Sequence, residues 1–180
     1  MAFKYKRTTY FIIVSLIIIA ASLIVRGIIK PKNADTLIND AMEEIKRGDF
    51  NDAIKNYTDA LKLKGDDPTT FYNRGVAYMN KGDYEKAIQD YSKAIELDPK
   101  NLAAYNNRAL SYRSTGKYDD SIKDYSRVLE LKADFSTAWY GRGLAYQQKG
   151  LRDRALADFR KALSLGFEGA KQNIQELEKK

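Results

Sequence analysis

The side chains best suited to covalent chemistry are missing, because the 180 residues include no histidine and no cysteine. That removes imidazole general bases, thiol nucleophiles and the usual zinc ligand sets. Paired carboxylates are left for acid–base work, and Asp66–Asp67 and Asp119–Asp120 are the tempting pairs. Both pairs fall at predicted helix starts or turns, where acids complement the helix dipole and cap free amides, and no cleft motif accompanies them. No glycine-rich phosphate loop is present either. The expectation is a chain with no catalytic residue, no metal site and no cofactor. A cationic stripe, Arg74, Arg108 and Arg142, looks at first like an anion site. Sixteen residues after each arginine comes an aspartate, Asp90, Asp124 and Asp158, whereas the first repeat has Asp40 and Asn56 in these columns. Each arginine is therefore predicted to pair with the aspartate of its own hairpin, which makes the stripe structural.

The elements that carry these residues recur. Gly48, Gly82, Gly116 and Gly150 are spaced 34 residues apart, and the apolar residues follow the same interval. One column reads Tyr57, Tyr91, Tyr125, Phe159, and a second reads Ala53, Ala87, Ser121, Ala155. A third reads Ala60, Ala94, Val128, Ala162, and a fourth Leu63, Leu97, Leu131, Leu165. Such a period means stacked helical hairpins, and repeated residue size marks a repeated packing contact. Leu37, Ile38, Ala41, Met42 and Ile45 share one helical face, and Gly48 ends that helix. Each glycine is followed by a polar residue and an aromatic before the next periodic run, which fits a tight capped turn; only Gly150-Leu151-Arg152 departs from this. Pro68 and Pro99 fall between hairpins, where no helical hydrogen bond is lost.

On these residues the chain resembles the tetratricopeptide repeat (TPR) family over residues 34 to 169. In the second repeat Phe71, Gly75, Tyr78, Ala87, Tyr91, Ala94 and Pro99 fall on the family's W, G, Y, A, F, A and P positions. The third keeps Tyr105, Ala109, Tyr112, Ser121 and Tyr125, and the fourth keeps Trp139, Gly143, Tyr146, Ala155, Phe159 and Ala162. The first is the most divergent, with Leu37, Ala41 and Glu44 in place of W, G and Y. The resemblance implies an all-α fold, a right-handed α-solenoid of four TPR helical hairpins at 34–67, 68–101, 102–135 and 136–169. Residues 170–180 are read as a capping helix, with Ile174 and Leu177 on its apolar side.

By the same resemblance, the first helix of each repeat lines a concave groove that takes a peptide segment or helix of a partner protein. Its residues are Thr69, Tyr72, Asn73, Val76 and Asn80 in the second repeat, and Asn106, Asn107, Leu110, Arg113 and Ser114 in the third. Tyr140, Leu144, Gln147 and Gln148 follow in the fourth. Asn39, Asn73 and Asn107 share a column, so their carboxamides form either a ladder for an extended peptide backbone or ordinary hydrogen bonds to water and neighbouring helices. The two-carboxylate clamp of co-chaperone TPR domains is absent in every register. Its first Lys and Asn positions read Ile38 and Met42, Tyr72 and Val76, Asn106 and Leu110, or Tyr140 and Leu144. Its later Lys and Arg positions read Ala103 and Asn107 or Thr137 and Gly141.

The amino terminus carries a different signal. Residues 8–25 hold no charge and are dominated by Ile, Leu, Val, Phe and Ala. As a helix at about 1.5 Å per residue they span most of a hydrocarbon core of roughly 30 Å. Residues 1–7 are read as a basic segment, 8–29 as a transmembrane signal-anchor helix in the lipid bilayer, and 30–33 as a linker. Lys4, Lys6 and Arg7 precede the run, and Arg26, Lys30 and Lys32 follow it. A cleaved signal peptide is the rival reading, from the small residues Ala20 and Ser22, but Leu23, Ile24 and Val25 extend the apolar run past them. The α-amine tips the flanking charge toward a cytoplasmic amino terminus, which places the repeats on the periplasmic or extracytoplasmic side of a bacterial inner membrane.

The net charge of +7, from 31 Lys and Arg against 24 Asp and Glu, belongs mostly to that segment. Residues 1–32 hold six bases and no acid, leaving 25 bases against 24 acids in residues 33–180, so a nucleic-acid partner is not expected. The sequence points to a membrane-tethered adaptor or scaffold that binds another protein. The alternative is a structural subunit of a membrane complex, held by its transmembrane helix and convex surface.

Overall fold

The computed structural model describes residues 12–19, 21–22 and 32–179. The chain divides into two compact units, residues 1–33 and 34–180. In the first unit residues 12–19 and 21–22 are helical, and Ile12, Ile13 and Leu16 to Ile19 are exposed. The membrane helix predicted over 8–29 lies largely outside the described residues, and among those described no helix is long and apolar enough to cross a membrane.

The second unit is an all-α solenoid. Its helices are α1 (Ala34–Arg47), α2 (Phe50–Lys64), α3 (Pro68–Lys81), α4 (Tyr84–Leu97), α5 (Leu102–Ser114), α6 (Tyr118–Leu131), α7 (Ser136–Gln148), α8 (Arg152–Ser164) and α9 (Ala170–Glu178). Each packs mainly on its neighbours in sequence, as expected when every hairpin buries its apolar face on the next.

The turns show why glycine recurs. Gly48, Gly82, Gly116 and Gly150 have φ of 84°, 86°, 76° and 72°, while nothing crowds the space a Cβ would fill. The left-handed backbone, not room, is what requires glycine there. The following amide closes a six-to-one bond onto the helix, from Asp49 to Glu44, Asp83 to Tyr78, Lys117 to Tyr112 and Leu151 to Tyr146, at 2.8–2.9 Å. The fourth turn therefore keeps the geometry although its sequence departs, because the bond uses only backbone atoms. Of the acid pairs, Asp67, Asp119 and Asp120 lie at helix starts. Asp67 caps α3 by accepting from the Thr70 amide at 2.7 Å, Asp66 pairs with Lys93, and Asp119, in the first turn of α6, pairs with Lys149.

Three of the four repeated columns form the core. Tyr57, Tyr91, Tyr125 and Phe159 are buried, as are the two small-residue columns beside them. The fourth column does not belong there: Leu63 is 62% exposed, and Leu97, Leu131 and Leu165 are half-buried near the ends of their hairpins.

Ring placement depends on where a Cβ is missing. A Cβ at Gly75 would lie 2.7 Å from the Tyr91 ring, and one at Gly143 would lie 2.8 Å from the Phe159 ring. In the third repeat that position is Ala109, fully buried in a cluster with Tyr125. The Tyr125 ring lies instead against Gly141 of the next repeat, where a Cβ would meet its Cζ at 2.4 Å.

Candidate functional site

The arginine stripe is a set of cross-braces. Arg74 donates from Nε and Nη2 to the two carboxylate oxygens of Asp90, each at 2.7 Å. Arg108 does the same to Asp124 at 2.7 and 2.9 Å, and Arg142 to Asp158 at 2.8 and 3.0 Å. The pairing predicted within each hairpin is present, in the bidentate geometry that is strongest for this pair. Hydrogen bonding to Asp90 holds Arg74 above its ordinary pKa against the opposing effect of burial. For Arg108 and Arg142 burial is the largest single influence and lowers the value, but the hydrogen bond and charge of the aspartate together outweigh it.

What the sequence reading missed is the third partner. Nη1 of Arg74, Arg108 and Arg142 donates to Thr58, Ser92 and Ser126 of the preceding hairpin at 3.0, 2.9 and 3.0 Å. Each hydroxyl in turn donates to a backbone carbonyl four residues earlier, at 2.7 Å. One guanidinium thus ties two hairpins together. The available signal was a column of hydroxyls, Thr58, Ser92 and Ser126, at the same 34-residue period. In the first repeat, Asn56 donates to Glu44 at 2.9 Å, which accounts for the acid found there in place of tyrosine.

The residues expected to line the groove divide into those with partners and those without. Asn107 donates to the Tyr72 hydroxyl of the preceding repeat at 3.2 Å and accepts from Asn106 at 3.3 Å. Tyr140 donates to Asn173 of α9 at 3.2 Å, and Asn173 donates to Gln147 at 3.4 Å. Leu144 packs in the cluster around Phe159, whereas Asn39, Thr69, Asn80, Ser114 and Gln148 are exposed. Asn39, Asn73 and Asn107 make no hydrogen bonds to one another, and in the fourth repeat the column continues as Gly141.

Asn73 and Val76 line a cavity of about 240 Å³ with Met42, Ile45, Lys46 and Tyr57. Met42 and Ile45 were not expected to form part of a binding face. Burial and the nearby Glu44 charge push the Tyr57 phenol up to about 12. Further along, Leu110 is half-buried, and Arg113 is half-buried with an Nε that has no acceptor. The Asn106 Oδ1 has no donor. Burial raises the Tyr125 phenol against the opposing pull of the Arg113 guanidinium beside it.

Family models described as tetratricopeptide repeat match residues 68–101, 91–123 and 136–166, and one described as TPR repeat matches 43–82 and 109–150. The chain belongs to the tetratricopeptide repeat family. Among solved structures similar to the chain, a crystal structure of MamA is 32% identical, with a TM-score of 0.73 over 79% of this chain and 83% of that one. MamA from Desulfovibrio magneticus RS-1 shares the fold at 21% identity, with a TM-score of 0.77 over 83% and 85% of the two chains. The first TPR domain of Spaghetti (RPAP3), bound to the HSP90 peptide SRMEEVD, is 26% identical, with a TM-score of 0.63 over 66% and 94%. No curated protein sequence matches the chain.

Proposed function

We propose that this TPR protein is a membrane-tethered adaptor that holds a peptide segment or helix of a partner protein on the inner face of its repeats. The observation that carries the reading is the unmatched inner face of the first three repeats. It has an apolar cavity at Met42, Ile45 and Val76, and, on the first helix of the third repeat, two buried polar atoms without a hydrogen-bond partner, Asn106 Oδ1 and Arg113 Nε. A face built only to be solvated has no use for either feature. The RPAP3 TPR domain is bound to an HSP90 peptide, which supports a peptide partner here.

The proposed groove comprises Asn39, Thr69, Tyr72, Asn73, Val76, Asn80, Asn106, Asn107, Leu110, Arg113, Tyr140, Leu144 and Gln147. The clamp residues that would read a terminal carboxylate are replaced, for example by Ile38 and Met42, so an internal segment is the better fit. The uncharged run at 8–25, with basic residues on both sides, supports a tether that keeps the partner near a bilayer. Confinement there raises effective concentration, so a weak groove suffices. The charge flanks favour repeats outside the cytoplasm.

The test is in-cell photo-crosslinking from position 107 on the inner face and position 123 on α6. One partner captured from 107 alone supports the adaptor; capture only from 123, or from neither, favours a structural subunit. Residues 33–180 expressed alone should leave the membrane fraction yet still bind that partner, whereas a structural subunit so truncated loses its complex.

A further inference from the structure

We propose that the segment held on the inner face carries an acidic side chain that docks on Arg113, with an aliphatic side chain four or five residues away that fills the Met42–Val76 cavity. This rests on the adaptor reading above and names the chemistry of the partner.

The comparison that isolates Arg113 lies within the chain. Arg74, Arg108 and Arg142 are half-buried, and each meets an aspartate of its own hairpin at 2.7–2.8 Å. Arg113 is also half-buried, yet it has no carboxylate partner among the described residues, and its Nε has no acceptor. Taking a guanidinium partly out of water without a counter-charge is unfavourable, so a carboxylate supplied from outside gains more here than at an exposed arginine. Lys46, which lines the cavity, is exposed and already paired with Glu43. Tyr125, beside the Arg113 guanidinium, supplies no negative charge, since burial raises its phenol above the ordinary value.

The spacing follows from helix packing. The cavity lies between α1 and α3, and Arg113 is on α5, the first helix of the next repeat. Packed helices about 10 Å apart put the two subsites roughly 15 Å from each other. That is four or five residues of extended chain at about 3.3 Å each. The chain's own residues 1–32, with six bases and no acid, have the wrong charge for this site.

The experiment uses the full chain in detergent micelles, panned against a phage-displayed random dodecapeptide library. Recovered peptides are synthesised and titrated by fluorescence polarisation against the wild type, Arg113→Gln and Arg113→Lys. The expected peptides share an Asp or Glu four or five residues from an aliphatic side chain. Arg113→Gln weakens them about 30-fold or more, the fold-change expected when one member of a half-buried charge pair is lost, and Arg113→Lys weakens them less. Replacing the peptide's acid by its amide produces the same loss and removes the sensitivity to Arg113→Gln.

Peptides that crosslink to position 107 but lack an acid, or that bind Arg113→Gln within twofold while circular dichroism shows an intact fold, overturn this proposal alone. Failure to recover any peptide that crosslinks there overturns the adaptor reading with it. A concentration-dependent rise in mass that Arg113→Gln abolishes makes the occupant a second copy of the chain, which also refutes the proposal.

Discussion

Gly141→Ala tests the claim that the Tyr125 ring has exchanged one glycine for another. An alanine Cβ would lie 2.4 Å from Cζ, 2.6 Å from the hydroxyl and 2.7 Å from Cε1 of Tyr125. Ordinary contact begins near 3.4 Å, so the ring must retreat by about 1 Å. It has nowhere to go, because Tyr125 is 3% exposed and packs among Ala109, Val128, Leu129 and Ala138. Overpacking of this kind costs about 1–3 kcal/mol, and a backbone-anchored clash with a rigid ring belongs near 3. Alanine returns about 1 kcal/mol through helix propensity, leaving about 2 kcal/mol of net destabilisation. For a chain of this size that lowers Tm by about 4–8 °C. Thermal unfolding followed by circular dichroism measures the shift. Ala109→Gly should couple to it, since it reopens the position over which Tyr91 lies in the second repeat, and the double variant should recover about 1 kcal/mol relative to additivity. A Gly141→Ala protein more stable than wild type by the propensity term alone, or a coupling of zero, refutes the reasoning.

Three further outcomes follow from the same packing. Ser121→Ala removes a buried hydroxyl that has no partner, in a column that is otherwise alanine in the first, second and fourth repeats, and should stabilise by about 1 kcal/mol in urea unfolding. Arg108→Met strands Asp124, which is 4% exposed, and should destabilise by about 3–5 kcal/mol; Ser92→Ala, which removes only the link to the preceding hairpin, should cost about 1. Equal losses from these two variants would contradict the division of labour assigned to the guanidinium. In alkali, Tyr57 ionises near 10 when unfolded and near 12 when folded. The folded state therefore holds more protons between these values, and stability falls as pH rises through that window. Tyr57→Phe should flatten the fall, as read from urea midpoints at pH 9 and pH 11.

Much of the fold was legible because a solenoid is built from local contacts. Gly48 and its three successors announce a left-handed turn whatever surrounds them, since the constraint lies in one residue's backbone. The Tyr57 column and the small residues beside it announce a crossing of two helices separated by a short turn. The Arg–Asp braces were legible for the same reason: sixteen residues across one hairpin fix both partners on facing helices. Leu63 shows the limit, because periodicity records repetition and not depth, and that position is left mostly exposed at the end of its hairpin.

The repeat, its turns and the pairs inside each hairpin follow from the order of residues, since all of them depend on short separations and regular helix geometry. How one hairpin meets the next depends on the packed fold. Thr58 as a third partner for Arg74, Tyr125 against Gly141 and Asn107 on Tyr72 cross between different repeats, and Asn173 on Tyr140 crosses from the last repeat to the final helix. Those contacts depend on rotamers and on the angle at which neighbouring helices stack. Arg113 is the clearest case: it stands outside the arginine column, its own column reading Met79 and Gln147 in the neighbouring repeats, and its half-burial with an Nε that has no acceptor becomes visible only when every neighbour has been placed.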